Sequence, residues 1–327
     1  MSPPTPRAER SRPRASVVVP SYRRPAELHR CLSGLAAQRT MADEVIVVAR
    51  QDDGETQAVV RGFPLAGTRL VLVAETGVLA AMRAGVSAST GDVVAFVDDD
   101  AVPGEDWLQR LLDHLAVDHV GGAGGRDLVA GQDCRTTDVG RITPFGRVIG
   151  NHHLGTGAAR DVDVLKGVNM AFRREALALP ARLRGSGAQV HWELATSQWA
   201  KARGWRLVYD PSVTVDHRPA VRFDADQRGG PSPEALSDAA YNYERALLAA
   251  RPELHRRRVV HGMIIGQRDN PGLLRAAAAA VSRDWPIARR LRPSLEGRWS
   301  GLRAAARGPA LEMVTFDGRS NADERRA

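Results

Sequence analysis

The stretch STGDVVAFVDDDAVPGEDWL, residues 89–108, holds an unbroken apolar run from Val93 to Val97 that ends on three consecutive carboxylates, Asp98, Asp99 and Asp100. Such a run reads as a strand buried on both faces. Its carboxyl end is the edge at which open α/β sheets bind ligands. Residues two apart on an extended strand point the same way, so Asp98 and Asp100 converge, and like charges so placed call for a hard divalent cation. Upstream, SVVVP at 16–20, EVIVVA at 44–49 and RLVLVA at 69–74 repeat the apolar run. The spacers ELHRCLSGLAAQ at 27–38 and GVLAAMRAGVSAS at 77–89 carry apolar residues at helical spacing. This βαβ rhythm predicts an α/β fold with a Rossmann-like, mostly parallel central sheet flanked by helices.

Downstream the pattern loosens through the glycine run VGGAGG at 120–125 and a polar loop at 130–160. A strand-like segment at 161–174, a helix at 192–204, and the strand signals RLVYDP at 206–211 and VTVDH at 213–217 follow, these two being the last strands expected. Past the polar stretch 224–234 the chain turns Ala/Leu/Arg-rich. The organisation expected is a disordered leader at 1–14, an α/β domain at 15–223 and a C-terminal helical region at 224–327.

The chain has 327 residues, 43% hydrophobic and 26% charged, as befits a folded protein of about two domains. No uncharged apolar stretch approaches the roughly 18 residues of a spanning helix, and the leader lacks the apolar centre of a secretory signal. A cytoplasmic protein is expected. Cys31 and Cys134 support neither a disulfide framework nor a zinc site and read as small buried side chains. Lys and Arg number 46 against 38 acids, and the surplus is uneven: residues 218–327 carry 20 basic and 13 acidic side chains. Basic stretches at 247–262 and 285–308, interleaved with Leu, Ile and Trp, suit either packing on the preceding domain or contact with an anionic membrane surface. The chain lacks an aromatic-interleaved basic motif, and nucleic acid is not an expected partner.

Strand one ends in Pro20-Ser21-Tyr22-Arg23-Arg24-Pro25, not in the glycine turn of a nicotinamide-binding fold, and there is no P-loop lysine motif. Phosphate binding therefore falls to metal and arginines. VVVPSYRRP at 17–25, EVIVV at 44–48, the 89–108 stretch, KGVNMAFRREAL at 166–177 and WELATSQWAKARGWRLVYDPSVTVDH at 192–217 together resemble, in order and spacing, the landmarks of family 2 inverting glycosyltransferases of the GT-A fold. The resemblance covers residues 15–218. It implies a nucleotide-sugar donor, a divalent metal (Mn²⁺ or Mg²⁺) at the D-x-D, and transfer with inversion to an acceptor hydroxyl on a glycan, a lipid-linked molecule or a small molecule.

Carried onto this sequence, the resemblance places Pro20, Tyr22 and Arg24 beside the donor base and ribose. Asp98 and Asp99 fall on the nucleotide sugar, Asp100 on the metal, and His217 near metal and diphosphate. Asn169 is a candidate to bond donor or acceptor, and Arg173 and Arg174 are either further contacts or an exposed helix start. The family's catalytic Asp corresponds to Glu193, preceded by Trp192 in place of the usual acid. Trp192 reads as core or as a platform for a sugar ring. The family's base-reading Asp after strand two is absent, so either Asp52 or Glu75 serves or the base is read differently. These departures admit an alternative, a catalytically weak GT-A-fold protein that binds nucleotide or acts as a scaffold. The membrane contact drawn from the basic C-terminal helices would be peripheral, at the inner face of the cell membrane.

Overall fold

The computed structural model describes residues 12–132, 134–223, 230–267 and 270–316. Strands β1 (Ala15–Ser21), β2 (Glu44–Arg50), β3 (Thr68–Val73) and β4 (Val93–Val97) alternate with helices α1 (Pro25–Ala36), α2 (Gly54–Gly62) and α3 (Val78–Ala88). Then come β5 (Ala101–Pro103), α4 (Trp107–Leu115), β6 (Val120–Leu128), the small hairpin β7 (Arg141–Ile142) and β8 (Val148–Ile149), β9 (Arg160–Asp161), β10 (Asn169–Arg173) and β11 (Ala178–Pro180). Helix α5 (Trp192–Ala202) and the long strand β12 (Arg206–His217) follow, and α6 (Pro233–Ala250), α7 (His255–Ile264), α8 (Leu273–Val281), α9 (Trp285–Ala288), α10 (Leu291–Arg307) and β13 (Met313–Thr315) end the fold.

The main sheet runs β3-β2-β1-β4-β10-β6-β12-β5. Its first four strands are parallel, β10 is antiparallel to both neighbours, and β12 is parallel to β6. Pleating sends Val17, Val19, Val45 and Val47 into one core with Leu28, Leu32, Trp107 and Leu111. Val18, Ile46 and Phe96 enter the other with Leu79, Met82 and Trp192. Each fully buried Val or Leu contributes roughly 1.5–3 kcal/mol, so both sheet faces are sealed by the helices the spacers predict.

Several expectations need correction. The glycine run at 120–125 is a central strand, because at β6 the neighbours leave no space for side chains: a Cβ on Gly122 would meet the Phe172 ring at 2.7 Å and one on Gly125 would strike the Val213 backbone. Of the segment 161–174 only residues 161 and 169–173 pair in the main sheet. RLVYDP and VTVDH are one strand with an irregularity between Asp210 and Thr214. They are not the last strand, since β13 returns to pair with β11. Cys31 is buried but Cys134 is exposed. The expected leader lies outside the described residues up to 11, while Arg12 reaches Asp43 and the Arg14 N–H donates to Asp92.

The C-terminal helices build a third core, in which Tyr243 and Leu247 of α6 and Leu302 of α10 meet Leu194 of α5. Gly297 and Gly301, four apart on α10, let that helix lie against the backbone of α6 at Ser237 and Tyr241. A buried ionic cluster, Glu244 bonded to Arg258 and Arg298, joins α6, α7 and α10. Helix α6 thereby braces α5, the helix that carries Glu193.

Candidate active site

A cleft of about 440 Å³ opens where β1, β2, β3 and β4 end. Pro20 and Tyr22 line it at the end of β1, Arg50 at the end of β2, Glu75 after β3, and Asp98 and Asp99 after β4. The Tyr22 ring lies 4.8 Å from the Arg50 guanidinium and meets Phe223 edge-on. Arg24 also lines the cleft, bonding Asp99 at 2.8 Å and the Val221 carbonyl. That second bond ties β1 to a strap, residues 218–223, that continues β12 across the carboxylates. The Arg218 N–H bonds the Asp100 carbonyl and the Ala220 N–H its carboxylate. Arg222 and Phe223 of the strap complete the wall.

Asp98, Asp100 and His217 each offer one ligand atom, and these lie within 4.8 Å of one another. The spacing arises because β4 ends beside the turn into β5, and β5 pairs with the end of β12: Ala101 lies opposite His217. The Nε2 atom of His217 is buried, lacks a hydrogen-bond partner and lies 3.4 Å from the Asp100 carboxylate. Two carboxylate oxygens and an imidazole nitrogen around one point fit a divalent cation such as Mn²⁺. Burial and the Asp100 charge push Asp98 up to about 7. Burial raises Asp99 to about 6 against the pull of Arg24. At Asp100 burial is outweighed by the facing imidazole and the Ala220 N–H, which hold it at about 2. For His217 burial is outweighed by the Asp100 and Asp127 carboxylates, and its pKa rises to about 9.

Asp127, not anticipated from the sequence, supports this group. It is fully buried at the end of β6, accepts from His217 Nδ1 at 3.2 Å and from Lys166 Nζ at 2.5 Å, and is held at about 2 because these partners outweigh its burial. An acid ending a strand was a readable signal, as at Asp98, but the glycine run concealed the strand. Arg222 and Phe223 carry no local pattern that marks them.

Glu193 sits in the first turn of α5, where its carboxylate faces Gly167: a Cβ there would lie 3.2 Å from Glu193 Oε1. Burial raises its pKa, while the backbone amides of Glu193 and Gly167 and the charges of Lys166 and Arg222 lower it. Its charge also reaches Asp98. Trp192 is core, edge-on to Phe96 at 6.0 Å.

Two candidates sit elsewhere than expected. Asn169 is buried and its amide is spent inside the fold: Oδ1 accepts from Trp107 Nε1, and Nδ2 donates to the Val213 and Arg126 carbonyls. It locks β10 to α4 and β12, and both amide N–H groups are used inside the fold. Asp52 is not among the residues lining the cleft and is half exposed, paired with Arg50 at 2.9 Å. The residue facing the cleft at that place is Arg50, and Glu75, paired with Arg83, is the acid on the rim. Arg173 and Arg174 bond backbone carbonyls of the domain.

The profile of a family described as "Glycosyltransferase like family 2" matches residues 13–228. The curated glycosyltransferase AglE of Haloferax volcanii is 31% identical over 118 residues, a match that takes in 34% of this chain and 39% of that protein's length. Among solved structures, the mannosyltransferase PcManGT from Pyrobaculum calidifontis, in complex with GDP-Man and Mn²⁺, aligns over 90% of this chain and 86% of its own with TM-score 0.52 and 20% identity. GalNAc-T7, with UDP, GalNAc and Mn²⁺, aligns over 84% of this chain and 57% of its own with TM-score 0.54 and 13% identity. The structural likenesses establish the GT-A arrangement of the sheet. With two-thirds of its length under the family profile and the D-x-D group at the sheet edge, the chain belongs to the glycosyltransferase-like family 2.

Proposed function

We propose that this chain is a metal-dependent inverting glycosyltransferase that moves a hexosyl group from a nucleoside-diphosphate sugar to an acceptor hydroxyl. The observation that carries the reading is the Asp98–Asp100–His217 group beside the 440 Å³ cleft, with the Glu193 carboxylate on the neighbouring helix terminus. The nucleoside occupies the cleft, its base and ribose beside Pro20, Tyr22 and Arg50, with Glu75 or Arg50 reading the base edge. Arg24 with Asp99 holds the cleft wall against the strap. Asp98, Asp100 and His217 would hold a divalent cation, Mn²⁺ or Mg²⁺, which would supply positive charge to offset that of a nucleoside diphosphate. Glu193 takes the proton of the acceptor hydroxyl as its oxygen attacks the anomeric carbon; the bond from that carbon to the diphosphate breaks, and the electron pair leaves with the nucleotide. Burial that raises the pKa of Glu193 strengthens it as a base. Arg222, on the strap, faces the same space and offsets the negative charge that develops. The acceptor hydroxyl belongs to a glycan, a small molecule or a lipid-linked molecule.

The test is a thermal-shift titration with UDP, GDP, dTDP and CMP, each with Mn²⁺, Mg²⁺ or EDTA, because a ligand of the native state raises apparent stability. One diphosphate should stabilise the protein only with metal, and Asp100→Ala should abolish the shift. Glu193→Gln should keep the shift and lose about 10²–10⁴-fold in turnover. A metal-dependent shift without turnover in the unaltered chain would support the nucleotide-binding or scaffold alternative instead.

A further inference from the structure

Helix α8 is built inside out. Its inward residues are the small Ala276 and Ala279, whereas Leu273, Leu274 and Val281 are 52%, 62% and 86% exposed. At 100° per residue, Leu273, Ala277, Val281, Leu274 and Ala278 form one continuous apolar arc of about 140° on the solvent side. Helix α7 repeats the arrangement, with exposed Val260 and Ile264 between exposed Arg256 and Arg257, and Trp285 of α9 is 54% exposed. Helices α7, α8 and α9 are in contact, so these side chains belong to one block. A surface helix of a water-facing protein shows the opposite pattern.

Charge says what covers this face. From 255 to 292 the described residues include eight arginines, of which Arg258 is buried against Glu244 and Arg292 pairs with Glu296, and a single carboxylate, Asp284, which is occupied capping α9. Arg256, Arg257, Arg275, Arg283 and Arg289 are exposed around the apolar residues. Apolar side chains rimmed by arginine, with a tryptophan at the edge, match the boundary between acyl chains and anionic headgroups, where arginine stems lie along hydrocarbon and guanidiniums meet phosphate. We propose that α7, α8 and the α9 tryptophan form a face that docks this protein on an anionic lipid bilayer. This adds to the proposed transferase reading the surface at which a lipid-linked acceptor would be met, but stands on separate residues.

The experiment is co-sedimentation of the full chain with vesicles of phosphatidylcholine alone or with about 30% phosphatidylglycerol, at low and high salt, for the unaltered protein and a Leu274→Gln/Val281→Gln variant. Both changed side chains face solvent and glutamine is a good helix former, so the fold is kept. Binding is expected only to the anionic vesicles, weakened by salt, and the variant should partition about tenfold less or weaker still. The metal-dependent nucleotide shift of the variant should equal that of the unaltered chain, which separates failure here from failure of the transferase reading. Absence of binding, equal binding to neutral vesicles, or unchanged binding of the variant would overturn the proposal. So would a concentration-dependent dimer that the variant dissolves, since a second copy would then cover the face.

Discussion

Asp127 shows how much of the candidate centre depends on a side chain that meets no cation itself. Its contact with Nδ1 orients the imidazole of His217 and turns Nε2 toward Asp98 and Asp100, as supporting carboxylates do for metal-bound histidines. Asp127→Asn keeps the size but loses the charge that aligns the imidazole and pairs Lys166. Mn²⁺ affinity, followed by electron paramagnetic resonance of the free ion, should fall about 10–100-fold; unchanged affinity would reduce Asp127 to a partner of Lys166. At this scale Asp98, Asp100, Glu193 and His217 were legible in the sequence as acids and an imidazole ending strands or starting a helix. The surroundings of Asp52 and Asn169 were not, because they depend on which neighbouring and distant groups each side chain meets after folding. Asp52 thus holds Arg50 while Arg50 faces the cleft, and Asn169 is consumed by Trp107 and two carbonyls.

Among the elements, the pairing of α6 with α10 sets the position of α5. Gly297 has no space for a methyl group against the Ser237 carbonyl. Replacement by alanine sets two effects against each other: about 1 kcal/mol gained in helix propensity and about 1–3 kcal/mol lost to overpacking against backbone, which cannot rotate aside. The loss should win, leaving Gly297→Ala destabilised by about 1–2 kcal/mol in a denaturant titration. A stabilised variant would show that α10 shifts freely and does not brace α5. The strands β1 to β4 were readable because runs of three to five consecutive apolar residues, recurring between helical spacers, leave little choice. β6 and β13 were not, since glycine has no side chain to signal burial and three residues carry no period.

For the molecule as a whole, two histidines bend stability in opposite directions. His152, buried between Val164 and Tyr209, is lowered to about 4, chiefly by burial. Between pH 6.5 and 4 the unfolded chain binds a proton that the folded one refuses, so its stability is lost as pH falls through that window, by about 3 kcal/mol. His217, raised to about 9, keeps its proton when the unfolded chain has released it. Its contribution is therefore present below pH 6.5 and lost as pH rises to 9. Melting temperature in EDTA should fall as pH rises from 6.5 to 9, and the loss that His152 contributes between pH 6.5 and 4, on the acid limb, should be missing from His152→Asn. An acid limb untouched by that change would assign it to other groups. No helix of the described residues is long and apolar enough to cross a membrane; the exposed arc of α8 bears on the surface of one.

The sequence by itself determined the βαβ order, the apolar strands and the placing of carboxylates at their ends, because strand burial and chain direction are local properties written in consecutive residues. Tertiary structure alone decided that β10 inserts antiparallel between β4 and β6, that Asp127 stands behind His217, that the strap 218–223 closes on Arg24, and that the large side chains of α8 face outward. Each of these depends on which distant segments become neighbours, and that is set by the summed packing of the whole chain.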